Sequence, residues 1–329
     1  MRLVSGIQPS GNITLGNYLG AIKQYIKLQE ELKEAEIFIF IADLHALTVP
    51  QERQALQKSI KSLAALYLAS GLERDRVNLF IQSEIPAHSQ LGYIMESTVY
   101  VPELQRMTQY KDKIAKQKEG IKASLLTYPA LMAADILLYN ADLVPIGDDQ
   151  KQHLELTRTL AERFNNTYGN TFVVPKGYFP KTGARIMSLT EPTKKMSKSE
   201  ENPKGTIYLL DPINQSKNKI RSAVTDSDTK IYYDKKNKPG ISNLLDIYSA
   251  LKGSSIKELE KQYQNSSYRE LKEDLANLLE VVITPIQEKY FQIINSKELT
   301  ETLNIGKERA SLIASRTIAK VYRKLGILR

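Results

Sequence analysis

The sequence predicts an α/β fold, with a parallel sheet in the first half and a mostly helical second half. Three observations carry this. Short β-branched and aromatic runs alternate with amphipathic stretches in the first half. The run from Ile37 to Ala42 is apolar throughout, as in a strand buried on both faces. Beyond about residue 207 the strand signal gives way to helical periodicity.

Taken in order, Leu3-Val4-Ser5 reads as a short strand running into a Gly/Pro/Ser turn, Gly6 to Gly11. A helix follows from Thr14 to about Lys33. After the strand at 37–42, Leu56, Ile60, Leu63 and Tyr67 share one helical face that Gly71 ends. Val77 to Ile81 is the next strand. This alternation implies parallel strands joined by right-handed crossovers. Residues 86–140 read as helical without a strand, most strongly from Leu125 to Tyr139. Leu143 to Ile146 is another strand, and Gln152 to Asn165 is helical. Thr171 to Val174 reads as a last short strand. Residues 176–206 hold many Lys, Pro, Gly, Ser and Thr and read as mobile loops. Leu271, Leu275, Leu278 and Val282 mark one later helix. Ala310, Ile313, Ala314, Thr317 and Val321 mark the last.

Composition bounds the function. At 329 residues the chain exceeds the usual single-domain size, so two domains are expected. Size scaling gives an expected accessible surface of roughly 13,700 Å². The absence of cysteine excludes a disulfide framework, a thiolate metal site and a cysteine nucleophile. A three-histidine zinc site would require His45, His88 and His153 together. A net charge of +9 points to a polyanion, with nucleic acid ahead of a membrane. No apolar run of about 20 residues exists to span a bilayer. The N-terminus, MRLVSGIQPSG, is too short and polar for a signal peptide, so a cytoplasmic protein is expected.

Three segments suit phosphate handling. Gln8-Pro9-Ser10-Gly11 and Thr14-Leu15-Gly16-Asn17 join a strand to a helix, where backbone N–H groups and the helix dipole attract phosphate. Gly11 and Gly16 have P-loop spacing, but Asn17 stands where the lysine would be. A glycine-rich turn with no ligand fits the segment equally. Lys194-Lys195-Met196-Ser197-Lys198-Ser199 sets two lysines three apart among small hydroxyls, which suits a polyphosphate. A solvated basic loop would look the same. Gly147-Asp148-Asp149-Gln150 ends a strand and offers carboxylates to a ribose or an amine, or simply caps a helix.

Lys195-Met196-Ser197-Lys198-Ser199 is the full KMSKS signature of the class I aminoacyl-tRNA synthetases, and Thr14-Leu15-Gly16-Asn17 sits where that class carries its HIGH motif. The blocks SGIQPSG, GNYLGA, LLTYP, LMAADILLYNADLVPIGDDQKQHLELTR, GARIMSL, SAVTDS and KPGISNLL follow in the order seen in the bacterial tryptophanyl-tRNA synthetases. The chain closely resembles that family from Ser5 to about residue 290. One departure is visible: Thr14 and Asn17 replace the outer histidines of the class motif, so no imidazole acts there. Thr14 would offer a hydroxyl and Asn17 an amide donor.

The resemblance implies a Rossmann-like catalytic domain over 1–195, with a helical dimer-interface insertion at about 86–140. A helical anticodon-binding domain, with the end of the KMSKS loop, would occupy 196–329. It implies activation of L-tryptophan by ATP with Mg²⁺, then transfer to tRNA(Trp), in a homodimer that uses neither membrane nor DNA. Lys195, Lys198 and Lys113 would stabilise the departing pyrophosphate. Gln8, Pro9, Ser10, Gly16 and Asn17 would line the nucleotide site, with Gly147, Asp148 and Asp149 on the ribose side and Ile186 near the adenine. Met196, Ser197 and Ser199 complete the lysine loop around ATP. Asp135 would read the indole N–H, which can only donate and so needs an acceptor. Tyr128 and Gln150 would hold the ammonium. Met132, Val144, Ile146 and Val4 would form the apolar wall, although plain core packing also accounts for Met132 and Ile146. Lys217, Lys219, Arg221, Lys230, Lys235, Lys236 and Lys238 give the C-terminal part a basic character suited to RNA. Two other readings use the same plan: a tyrosyl-tRNA synthetase, and a nucleotidyltransferase that does not act on tRNA.

Overall fold

Five parallel strands form one sheet in the order β3-β2-β1-β4-β5. They are β1 (Arg2–Ile7), β2 (Glu36–Ile41), β3 (Val77–Ile81), β4 (Leu143–Pro145) and β5 (Lys176–Tyr178). The chain builds outward from β1 to the edge at β3, then returns to the other side of β1 as β4. This Rossmann-like order opens a crevice between β1 and β4 at their carboxyl ends. The structure, a computed structural model, describes residues 1–9, 11–114, 120–179, 185–197 and 202–327, and only the backbone at Lys113 and Asp148.

The pleat sends alternate side chains to opposite faces. Leu3, Ile37, Ile39, Ile41 and Leu79 enter one apolar cluster; Val4, Phe38, Phe40 and Phe80 enter the other. The first is covered by α1 (15–31) and α2 (Arg53–Ala69). The second is covered by α3 (Ala87–Glu96), α4 (Ala123–Leu137) and α5 (Lys151–Tyr168). The later long helices are α6 (Ile213–Arg221), α7 (Pro239–Lys252), α8 (Tyr268–Ile293) and α9 (Lys297–Leu325). Leu244, Leu275 and Leu279 of α7 and α8 join the first cluster, whereas Ala310, Ala314 and Val321 of α9 join the second.

Helix α9 also covers the edge strand, whose free backbone groups would otherwise be open to pairing. A Cβ on Gly306 would stand 1.9 Å from the carbonyl oxygen of Leu79 in β3. Only glycine permits that approach.

Two elements depart from the sequence reading. Thr171 to Val174 is not a strand. The N–H groups of Thr171 and Phe172 both donate to Asn165 Oδ1, at 2.9 Å each, so they cap α5 and are lost to a ladder. The strand begins after Pro175, where Lys176 N–H donates to Asp142 C=O. Nor is 176–206 loop throughout: besides β5 it contains an antiparallel pairing of Met187 with Lys195, and Ile186, Leu189 and Met196 are buried in the first cluster. The accessible surface, 16793 Å², also exceeds the value expected for a compact monomer of this mass. Among the described residues no helix is long and apolar enough to cross a membrane.

Substituting Gly306→Ala forces α9 off β3 and lowers unfolding free energy by about 1–3 kcal/mol, as other overpacked sites do. An unchanged denaturant midpoint would contradict this seating of α9.

Candidate active site

A cavity of about 950 Å³ opens at the carboxyl ends of β1 and β4. The first strand supplies Val4, Ser5 and Gly6 to its wall, and the turn beyond supplies Gln8. Val144, Ile146 and Gly147 enter from the β4 side, Tyr128, Met132 and Asp135 from α4, and Gln150 from the start of α5. Asn17 lies at the mouth of α1, and Lys195, Met196 and Ser197 close the opposite rim. Asp149 lies beside Gly147. Fourteen of the residues singled out in the sequence therefore share one wall.

Three do not: Pro9, Gly16 and Ile186 are absent from it. Ile186 is buried in the core behind Gly16. Ser10, Lys198 and Ser199 lie outside the described residues, as do the side chains of Lys113 and Asp148.

One end of the cavity is apolar with a single charged group. Asp135 is 1% exposed. His45 Nε2 donates to its Oδ2 at 2.7 Å; Gln82 Nε2 and His88 Nδ1 donate to its Oδ1, each at 2.7 Å. His88 Nε2 in turn meets Tyr139 Oη at 2.7 Å. Burial pushes the Asp135 carboxyl up, but the interactions with His45 and then His88 outweigh it and hold the group below the ordinary aspartate range. An ionised carboxylate offers about four acceptor positions. Three are used, and the remaining one is on Oδ2.

Sequence reasoning missed His45, Gln82 and His88. The available signal was position: His45 follows β2 and Gln82 follows β3, both at the carboxyl edge of the sheet. The third histidine, His153, bonds the Tyr128 hydroxyl at 2.8 Å. Burial drives the Tyr128 hydroxyl up, so it stays protonated. The three histidines thus support Asp135 and Tyr128. Among the described residues no cluster of three or more metal-ligating side chains occurs.

The other end is polar. Thr14 caps α1: its N–H and its hydroxyl both donate to Asn17 Oδ1, at 3.2 and 3.0 Å, and its hydroxyl accepts the Asn17 N–H at 3.1 Å. A backbone N–H can only donate, which identifies the atom facing it as oxygen and turns the Asn17 NH₂ group away, to the cavity side. Within this box the Thr14 hydroxyl donates to Asn17, and Thr14 itself lines the cavity. Gln150 Nε2 donates to Asp149 Oδ2 at 3.2 Å, leaving its carbonyl oxygen for a cation.

The basic C-terminal residues are largely neutralised within the chain. Lys219 and Lys238 are buried, paired with Asp211 and with Asp226 and Asp228. Lys217 pairs with Glu280, Arg221 with Glu273 and Lys235 with Asp246. Of the seven, only Lys230 and Lys236 are exposed without an ion pair among the described residues.

A parallel sheet with a capped helix mouth and a lysine on the rim of its switch-point cavity is the setting of a nucleotide-dependent enzyme. Residues 1–283 match the family model described as class I tRNA synthetases (W and Y), and the chain belongs to that family. It is 56% identical over 325 residues to the tryptophan–tRNA ligase of Oceanobacillus iheyensis, covering 99% of this chain and 98% of that one. The tryptophanyl-tRNA synthetase of Mycoplasma pneumoniae superposes with a TM-score of 0.90 at 43% identity, covering 99% and 97% of the two chains. The Campylobacter jejuni enzyme, solved with ADP and tryptophan, gives 0.81 at 34% identity, with 99% and 100% covered.

Proposed function

We infer that this chain is a tryptophan–tRNA ligase. It condenses L-tryptophan with ATP to tryptophanyl-adenylate and pyrophosphate, then transfers the acyl group to the terminal adenosine of tRNA(Trp), releasing AMP. The single observation that carries the substrate assignment is the open acceptor position on buried Asp135, at the apolar end of the cavity. An indole N–H satisfies it; a tyrosine hydroxyl placed there would donate as well, but the wall of Met132, Val144, Ile146 and Val4 suits the larger bicyclic ring. The relatives at over half identity are tryptophan enzymes, which separates this reading from the tyrosine and nucleotidyltransferase alternatives.

The tryptophan carboxylate is ionised at neutral pH and attacks the α-phosphorus directly; the oxygen bridging the α- and β-phosphates leaves with pyrophosphate. No general base is needed for this step. Its acceleration comes from in-line positioning and charge stabilisation. Lys195 meets the charge developing on pyrophosphate, and the Asn17 amide donates to a phosphate oxygen. Gln150 and Tyr128 hold the ammonium, while Gly147 and Asp149 flank the ribose. Mg²⁺ would come with the ATP phosphates, where it would supply charge neutralisation and ask few ligands of the protein. The nucleic-acid partner is tRNA rather than DNA, and this work belongs in the cytoplasm.

The active form is a homodimer joined through the 86–140 region. Tyr93, Tyr100 and Val101 there are 72%, 63% and 56% exposed, which leaves apolar side chains for a partner to cover. Helix α3 carries Tyr93 outward and His88 inward to Asp135, so the interface touches the pocket floor through one helix.

Amino-acid-dependent ATP–pyrophosphate exchange tests the activity: exchange with tryptophan and not with tyrosine is expected, and the reverse would contradict the Asp135 assignment. Sedimentation should return a dimer at micromolar concentration; a monomer retaining full activity would remove the interface.

A further inference from the structure

Two of the blocks that mark the family, SAVTDS at 222–227 and KPGISNLL at 238–245, contribute nothing to the cavity wall. They lie beneath the segment that carries Lys195. Residues 186–188 and 194–196 run antiparallel: Met196 N–H donates to Ile186 C=O at 3.0 Å and Ser188 N–H to Lys194 C=O at 2.8 Å, with Met187 opposite Lys195. An isolated pairing this short is not stable by itself.

Its support comes from α7. Asn243 is 3% exposed and clamps one residue at two points. Its Oδ1 accepts the Met187 N–H at 2.8 Å and its Nδ2 donates to the Met187 C=O at 2.9 Å. A second strut runs from Val224, whose N–H donates to Leu189 C=O at 2.8 Å. The start of α7 presses against that strut: a Cβ on Gly240 would come within 2.2 Å of the Val224 carbonyl oxygen. Lys238 ties the same corner together, bonding Asp226 at 3.0 Å and the Tyr268 hydroxyl of α8 at 2.7 Å. Beyond the pairing, the Thr206 hydroxyl donates to Ser197 C=O at 2.9 Å, and Lys219 of α6 donates to Thr206 C=O at 2.7 Å.

We propose that Asn243 is a positioning residue for the reaction: by clamping the Met187 backbone it holds Lys195 at the phosphate end of the cavity. The two blocks are then the platform of the lysine hairpin, and a displacement of α7 is passed to Lys195 through hydrogen bonds. An amide that spends both its carbonyl and its NH₂ group on one residue's backbone fixes both the place and the tilt of that residue. This rests on the reading of Lys195 as the group that meets pyrophosphate.

The test is a double-mutant cycle of Asn243→Ala and Lys195→Ala in tryptophan-dependent pyrophosphate exchange. Misplacing Lys195 should lower kcat by about 10- to 100-fold in the single Asn243→Ala variant. Tryptophan affinity should be unchanged; it is read from the fluorescence of the bound amino acid, since the chain contains no tryptophan. In the Lys195→Ala background the same substitution should have little further effect, because coupled sites are not additive. Equal losses in both backgrounds, or full activity in Asn243→Ala, would overturn the proposal. No effect of Lys195→Ala alone would instead remove the reading beneath it. Asn243→Asp keeps the acceptor for the Met187 N–H and serves the same cycle if Asn243→Ala does not fold.

Discussion

The buried carboxylate of Asp135 is the constraint on which the rest of the site depends. An ion removed from water has to be matched by donors, or its burial costs several kcal/mol. Here the donors come from three separate places: His45 after β2, Gln82 after β3 and His88 on α3. Satisfying one side chain on α4 therefore locks that helix against two strand ends and a neighbouring helix. The Asp135 end of the cavity is thus also a structural junction. The same arrangement leaves one acceptor open, and an unmatched acceptor in an apolar pocket selects strongly for a ligand with a single well-placed donor.

The sheet order then determines what faces the Asp135 pocket. Because β4 returns beside β1, the crevice at their carboxyl ends receives the Asp135 pocket from one side and the capped mouth of α1 from the other. In the proposed reading, the carboxylate of a tryptophan anchored at Asp135 faces an α-phosphate at the helix mouth. Such a site needs placement more than acid–base groups, which fits its content: the histidines are turned to structural partners, and the charged group on the rim is a lysine. That lysine is carried on a pairing too short to hold itself, and its support lies in the helical half of the chain.

Much of this was legible in the sequence. The strand at 37–41 was readable because burial on both faces leaves an unbroken apolar run, and that at 77–81 is interrupted only by Asn78. Asp135 stood out as a carboxylate in the apolar stretch from Leu131 to Leu138, and the lysine loop carried its own signature. What could not be read depends on contacts between distant segments. His45, Gln82 and His88 are ordinary in their local sequence and acquire a role only when the strand ends converge. β5 was misplaced because Asn165, across a helix end, claims the amides that a strand would have used. The basic run from Lys217 to Lys238 reads as a charged surface, yet its acidic partners sit as far away as Glu273 and Glu280. Sequence shows the charge and hides the pairing.

The most direct measurement compares the binding of L-tryptophan with that of its benzothienyl analogue, in which sulfur replaces the indole N–H and the shape is nearly kept. A hydrogen bond to a charged acceptor contributes about 1.5–3 kcal/mol, so the analogue should bind roughly 10- to 150-fold more weakly. That gap should close in Asp135→Ala. Equal affinity of the two ligands for the unaltered protein would contradict the assignment of Asp135 as the group that reads the indole.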